Sequence, residues 1–110
     1  MNREHVVTSS TVPGMRVTRS LGIVRGNSMR ARHIGKDIMA TFRMVVGGDI
    51  HEYAHLLAES REQALDRMID QATEIGATCV VNVRFGTSFV QSGAAEMLAY
   101  GTAVLAEAED

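Results

Sequence analysis

A chain of 110 residues with 45% hydrophobic residues and a single proline has the composition of one folded domain, not of a disordered segment. It contains no apolar run near the roughly 20 residues of a membrane span, and its N-terminal residues lack the apolar core of a signal peptide. We therefore expect a cytoplasmic protein. Its one cysteine, Cys79, excludes an internal disulfide and is typical of a small buried side chain.

Charge is distributed unevenly along the chain, although the formal net charge is only −2. Residues 1–48 carry eight lysines and arginines against two acids, and residues 49–110 carry three against eleven. The two parts thus have formal charges of +6 and −8. This asymmetry indicates either an anion-binding N-terminal half or opposite surfaces that attract one another between copies of the chain.

The N-terminal half begins with an arm and one strand. Residues 1–15 predict an extended arm, because they end in the turn sequence Val12-Pro13-Gly14. Apolar residues then alternate with small or polar ones over residues 16–25, which predicts a strand. A basic, irregular stretch follows, in which the spacing of Ile38, Phe42 and Val45 predicts a short helix over residues 34–46.

The longest regular segment covers residues 50–75 and predicts an amphipathic helix. Asp49 is placed to cap its start and Gly76 to end it in the left-handed conformation. The predicted buried stripe consists of Tyr53, Ala54, Leu57, Ala58, Ala64, Leu65, Met68, Ala72 and Ile75, with Arg61 near its middle. The predicted solvated side consists of Glu52, Glu59, Ser60, Gln63, Asp66, Arg67, Asp70 and Glu74.

Two strands follow the long helix. Alternation over residues 77–85 places Cys79, Val81, Val83 and Phe85 on one face of the second strand. Residues 86–94, rich in Gly, Ser and Thr, predict a hairpin connection. Residues 95–106 form a third strand that is apolar on both faces, so it belongs in the middle of the sheet. Residues 107–110 are an acidic tail.

These elements predict a single α+β domain with a core over residues 16–106. A right-handed crossover through the long helix leaves strands one and two parallel, and strand three fills the gap in the order 1-3-2. The subunit is then a two-layer β-α-β-β unit with one long helix and one short helix. One long helix covers only one face of the sheet, so the other face meets either the short helix or a second subunit. We therefore predict a homo-oligomer, and the opposite charges favour a head-to-tail ring.

Six segments in a fixed order carry a resemblance that spans about residues 7–105. They are Thr11-Val12-Pro13-Gly14, Leu21-Gly22-Ile23-Val24-Arg25-Gly26, Val46-Gly47-Gly48 with Tyr53, Arg61 with Ala64, Gly76-Ala77-Thr78-Cys79-Val80-Val81, and Tyr100-Gly101-Thr102-Ala103-Val104. Together they resemble the YbjQ-like family. The resemblance implies a dodecin-like subunit, assembly as a homopentamer, and membership of a heavy-metal-binding group without an established activity. The chain departs from the family pattern at His51-Glu52 and at Cys79, so these residues are not carried over as family ligands.

The start of the long helix carries His51-Glu52-Tyr53-Ala54-His55, which matches the H-E-x-x-H pattern of zinc hydrolases. Its position speaks against that chemistry, because Glu52 lies where it can cap the helix and a metal cation would face the positive end of the helix dipole. A milder interpretation is that His51, His55, Glu59 and Glu62 hold a divalent metal such as Zn²⁺, Ni²⁺ or Cu²⁺ beside a neighbouring subunit. The alternative is that they are ordinary surface side chains.

Basic residues supply a third hypothesis. Arg61, Arg30, Arg32 and Lys36 are candidates for binding a small anion, and Arg61 could equally be a structural arginine paired with an acid. A nucleic-acid-binding surface is the other option for the basic half. The aromatic content of 5% without tryptophan argues against it, since base-stacking platforms are missing. We therefore expect a non-enzymatic, homo-oligomeric binding or scaffold protein, with a zinc hydrolase as the alternative.

Overall fold

The computed structural model describes residues 1–30, 50–91 and 94–109, without the side chains of residues 29–30, 50–56, 89–91 and 94–95. A 3-10 helix at Arg3–His5 is followed by β1 (Met15–Arg30), α1 (Ile50–Glu74), β2 (Cys79–Gln91) and β3 (Ala94–Ala108). The short helix predicted over residues 34–46 and the cap predicted at Asp49 lie outside the described residues.

The three strands form one sheet in the order β1-β3-β2, as the sequence predicts. β3 lies between the other two and is antiparallel to both. Its pairing with β1 runs from Met15 opposite Ala108 to Arg30 opposite Ala95. The α+β architecture and the central position of the most apolar strand are therefore confirmed.

All three strands are longer than their sequence patterns predict. β1 continues through Gly26 to Arg30, and β2 continues through Gly86 to Gln91. The predicted hairpin between β2 and β3 is present, but its predicted extent over residues 86–94 is wrong, because pairing continues to Gln91 opposite Ala94. Gly86 lies opposite Leu98 in the ladder, and the Thr and Ser residues that follow it also pair with β3. Small and hydroxyl residues that resemble a turn in sequence are held in a strand here by a long partner.

Helix α1 begins and ends where the sequence predicts. Gly76 has a φ of 86° and donates its N–H to the Thr73 carbonyl at 3.0 Å. Ala77 donates to the Ala72 carbonyl, also at 3.0 Å. This pair of bonds is a Schellman motif, which satisfies carbonyls that the end of a helix would otherwise leave unpaired.

The buried side of α1 is narrower than predicted and shifted around the helix axis. Its fully buried positions are Ser60, Ala64, Met68 and Ala72, which recur every four residues. Ser60 is therefore buried, against expectation, whereas Arg61 and Ile75 are exposed. The predicted place of Arg61 within the apolar stripe is wrong because the helix packs mainly on the edge strand β1, and only a thin line of residues meets the sheet.

Contact between α1 and β1 is closest at Gly26. A Cβ atom at this position would lie 2.2 Å from the Met68 nitrogen and 2.3 Å from the Ala64 carbonyl oxygen, so only glycine fits. Polar contacts flank this point: the Arg25 N–H donates to Gln71 Oε1 at 2.7 Å, and Arg67 Nη1 donates to the Asn27 carbonyl at 2.6 Å. The helix is thus fixed to the outer edge of the sheet.

A bulge in β2 divides its side chains between the two faces differently from simple alternation. Asn82 has a φ of 55°, and the register shifts between Val81 and Arg84. Cys79 and Val81 therefore lie on one face, and Val83 lies on the other, with the α1 contacts. The predicted common face of Cys79, Val81, Val83 and Phe85 is wrong, because one inserted residue reverses the pattern.

The N-terminal arm lies beside β2. Val7 donates to the Val80 carbonyl at 2.9 Å, Val83 donates to the Val7 carbonyl at 3.0 Å, and Asn82 donates to the Ser9 carbonyl at 2.9 Å. Val6 forms a parallel bridge with Val80. The arm therefore covers the outer edge of β2 over the first part of that strand, which leaves fewer unpaired backbone groups.

Candidate functional site

The face of the sheet opposite α1, here called the open face, carries exposed apolar side chains. Side chains directly opposite one another in an antiparallel pair share a face. Ile23 lies opposite Thr102, which lies opposite Val81 of the open face. Ile23 is 77% exposed, and Tyr100, two residues from Thr102, is 41% exposed. Ile23 lies midway along the edge strand β1, and its exposure marks a surface that the described residues leave uncovered.

Two arginines flank Tyr100 on the open face. Arg25 of β1 and Arg84 of β2 both lie opposite it, and both are exposed. Arg84 Nη1 donates to the carbonyls of Thr8 and Val83, at 2.8 Å each, which orients the guanidinium. The centre of the open face is therefore apolar and positively charged.

The outer surface of α1 is net negative. Its exposed acids are Glu59, Glu62, Asp66, Asp70 and Glu74, against the exposed bases Arg61 and Arg67. Arg3 of the arm binds two of the acids, with Nη1 at 3.0 Å from Glu62 and Nη2 at 2.5 Å from Asp66. These hydrogen bonds, first to Asp66 and then to Glu62, raise the pKa of Arg3. Arg3 also ties the arm to the helix.

The two histidines of the predicted divalent metal site, His51 and His55, lie in the first two turns of α1, and their side chains lie outside the description. Glu59 and Glu62 are exposed, and the Glu62 carboxylate accepts from Arg3. Among the side chains that the structure describes, no three His, Cys, Asp or Glu come together as a metal site.

The predicted anion-binding residues are spread over separate places. Arg61 is exposed on α1, and Arg30 is the last residue of β1, with its side chain outside the description. Arg32 and Lys36 lie outside the described residues. Arg25 and Arg84, which the bulge brings into one row with Tyr100, are the basic pair that the structure does place together.

A pair of sulfur atoms lies at one end of the open face. Cys79 Sγ is 3.8 Å from Met15 Sδ, and Cys79 is fully buried, as the sequence predicts. The surrounding side chains are apolar: Val7, Val12, Val81, Val104 and Ala106. Thiolate and thioether sulfur are soft donors that suit a soft metal ion and not a hard one. Met15 is far from Cys79 in sequence, so no spacing pattern could have identified the pair.

A groove of about 240 Å³ lies between the arm, α1 and β2. Its walls are mostly apolar, from Val6, Leu65, Val83 and Phe85, and Arg3 and Thr8 stand at its side. Since Arg3 is already paired with two carboxylates, this groove offers no charged group for a polar ligand.

Comparison with known proteins places the chain in a family. A family model described as "Putative heavy-metal-binding", YbjQ, matches residues 5–107. The chain belongs to the YbjQ family. Among its relatives, a UPF0145 protein of Thermococcus kodakarensis is 53% identical over 105 residues, covering 96% of this chain and 93% of the relative. One of Methanosarcina acetivorans is 52% identical over 99 residues, covering 90% and 93%.

A solved structure supports the fold of this YbjQ family member. The crystal structure of a protein of unknown function from Pediococcus pentosaceus aligns with a TM-score of 0.60 at 13% identity. The alignment covers 93% of this chain and 96% of that one. At this level of identity the likeness concerns the fold alone. Within the described residues, no helix is long and apolar enough to span a membrane.

Proposed function

We propose that this chain is a non-enzymatic binding protein that works as a homo-oligomer, with the open face of one copy packed on the outer surface of α1 of the next. The observation that carries the proposal is the 77% exposure of Ile23, which shares the open face with the exposed side chain of Tyr100. A patch of exposed apolar side chains on one face of a sheet is typical of a protein contact surface.

Burial of the exposed apolar side chains would contribute substantially to the free energy of association. Full burial of an isoleucine side chain is worth about 1.5–3 kcal/mol, and Tyr100 adds a second large side chain to the same patch. Since each 1.4 kcal/mol changes an association constant about tenfold, Ile23 alone accounts for roughly 10- to 100-fold in affinity at each contact.

Charge selects the partner surface. The open face presents Arg25 and Arg84. The outer surface of α1 stays net negative, because its five exposed acids outnumber Arg61, Arg67 and the Arg3 that is bound to two of them. Like-charged faces would repel one another in a two-fold contact between open faces. A head-to-tail contact instead brings opposite charges together, and such a contact closes into a ring when its rotation allows. A ring of five is the number that the family resemblance implies.

The test is the solution mass by size-exclusion chromatography with light scattering at micromolar concentration. We expect wild type to have a mass of several chains, and Ile23→Asp and Arg25→Glu to shift it toward one chain. Phe85→Asp is the matched control for the first, because Phe85 is 42% exposed and lines the groove between the arm, α1 and β2, outside the open face. Arg16→Glu is the control for Arg25→Glu, because it reverses the charge of another exposed arginine of β1 away from Tyr100. Arg16 lies near the start of the strand, with its Nη2 atom 3.6 Å from Glu107 Oε2.

Two results would reject the proposal. The first is a folded wild type with the mass of a single chain. The second is an unchanged oligomer in both open-face variants, which would place the subunit contact elsewhere. Far-ultraviolet circular dichroism of every variant separates loss of assembly from loss of folding.

A further inference from the structure

We propose that the stretch of α1 that meets the open face of the neighbouring copy is its C-terminal end, here called the acidic end and made up of Asp70, Glu74 and Ile75. This inference rests on the assembly proposed above and narrows its contact from the whole outer surface of the helix to three residues. The partner of the open face is thus a second copy of this chain, which contacts it through the last two turns of α1 and the residue that follows them.

Charge is not uniform along the described part of the outer surface of α1, residues 57–74. In its first part three exposed acids are balanced by three bases, which are Glu59, Glu62 and Asp66 against Arg61, Arg67 and Arg3. Asp70 and Glu74 remain, and the last turn of the helix contains no basic residue. The net negative charge of this surface therefore lies at its C-terminal end.

Two further features strengthen the negative potential at the acidic end. Arg67 is the base nearest to Asp70 in the sequence, but its Nη1 donates to the Asn27 carbonyl at 2.6 Å and is thereby held at the edge of the sheet. The C-terminus of a helix also carries the negative end of the helix dipole. A cationic surface should therefore bind here in preference to the balanced middle of α1.

Ile75 gives the acidic end an apolar side chain in a fixed position. It is 48% exposed and directly follows Glu74 in the chain. Its N–H donates to the Gln71 carbonyl at 3.3 Å, and the next residue, Gly76, closes the helix with a φ of 86°. A surface that is already rigid loses little conformational entropy when it binds.

The open face presents the complementary arrangement. Ile23 and Arg25 are two residues apart on β1 and so project from the same face. Packing of Ile75 on Ile23 brings Glu74, its neighbour in the chain, to Arg25. Neither Arg25 nor Arg84 takes part in an ion pair within the described residues, so both guanidinium groups can pair with a second copy.

The spacing of the charges is compatible as well. Arg25 and Arg84 lie on the two strands that flank β3, so their backbones are two strand spacings, or about 9.5 Å, apart. Asp70 and Glu74 are one helical turn apart, which is about 6 Å. Arginine side chains are long and flexible enough to converge over this difference.

The first test is the solution mass of Glu74→Lys and Ile75→Asp by size-exclusion chromatography with light scattering. We expect both masses to fall from several chains toward one. A lysine at the end of a helix interacts favourably with the dipole, so Glu74→Lys removes the contact without weakening the fold. Glu59→Lys is the matched control, because it makes the same charge change on the same helix within the balanced part, and it should keep the wild-type mass.

Charge reversal on both sides of the contact is the second test. Arg25→Glu and Glu74→Lys should each lose assembly alone, whereas the double variant Arg25→Glu/Glu74→Lys should regain the mass of several chains. Such a recovery requires the two residues to face one another across the contact. Far-ultraviolet circular dichroism of every variant identifies any loss of folding.

A mixture of two blocked variants is the third test. Ile23→Asp retains an intact acidic end, and Ile75→Asp retains an intact open face. Each should be a single chain alone. Mixed at high micromolar concentration, they should form a complex of two chains and no more, because the remaining open face and the remaining acidic end are both blocked.

The outcomes separate this inference from the proposed assembly. If Glu74→Lys and Ile75→Asp keep the wild-type mass while Ile23→Asp loses it, the acidic end is the wrong stretch of α1 and the proposed assembly stands. Equal loss of mass in Glu59→Lys and Glu74→Lys, no recovery in the double variant, or a mixture that remains single chains would also overturn the inference. A single-chain wild type would reject the assembly itself.

Discussion

Gly26→Ala tests the close approach of α1 to β1. The added Cβ would lie 2.2 Å from the Met68 nitrogen, where ordinary contacts begin at 3.4 Å, so α1 must retreat by about 1.2 Å. Both clashing groups belong to the helix backbone and cannot rotate away. Overpacking of this kind costs about 1–3 kcal/mol. The same displacement of α1 lengthens the 2.6 Å hydrogen bond from Ser28 Oγ to Gln63 Oε1 beyond hydrogen-bond distance. Loss of this bond costs about 1 kcal/mol more.

We therefore expect Gly26→Ala to lower the free energy of unfolding by about 3 kcal/mol, which corresponds to a fall in Tm of roughly 12 °C at about 4 °C per kcal/mol. Urea denaturation followed by circular dichroism measures it. Gly86→Ala is the control, because a Cβ there meets no atom within 4 Å, and its unfolding free energy should change by less than about 1 kcal/mol. If the two variants have the same stability, the close approach of α1 to β1 is incorrect.

Three smaller effects follow from backbone conformation and edge contacts. Asn82→Val should lower the free energy of unfolding by about 1–2 kcal/mol in urea denaturation, because Asn82 has a φ of 55° that a β-branched residue adopts with strain. Asn82→Gly should leave it nearly unchanged. Equal losses in both variants would contradict the left-handed conformation at the bulge. Gly76→Ala should cost about 1 kcal/mol by calorimetry, since the helix cap needs a φ of 86°, and an unchanged Tm would contradict that cap. Gln71→Ala should speed amide hydrogen exchange at Arg25, whose N–H it leaves to water, and unaltered exchange would refute the contact.

Periodicity in the sequence was sufficient to predict the long helix and the strand order, because both follow from strong local patterns and from a handedness rule. It was insufficient where a residue's role depends on a partner far away in the chain. Gly86 resembles a turn residue until β3 is known to extend beside it. Asn82 resembles one more alternating position, although it is the residue that reverses the pattern.

The candidate sites show the same dependence on tertiary contacts. Ser60 and Arg61 exchanged their expected environments because α1 packs on an edge strand and not over the middle of the sheet. The sequence makes Glu62 a candidate metal ligand, but in the structure its carboxylate is paired with Arg3 of the N-terminal arm. The excess of apolar surface on the sheet was evident from the sequence of β3, whereas the exposed position of Ile23 required the register of β1.

The side chains of Gln71 and Arg67 occupy the backbone groups of Arg25 and Asn27 that point away from β3. A second strand could not pair with β1 at these positions, because their outward-facing backbone groups are already hydrogen-bonded. The N-terminal arm pairs in the same way with backbone groups along β2. A sheet with exposed apolar side chains can add further chains and form amyloid-like fibres when the backbone groups of its edge strands are unpaired. In the assembly proposed above, paired groups at both sheet edges leave the open face as the surface on which a second copy packs, which favours discrete particles of limited size over fibres.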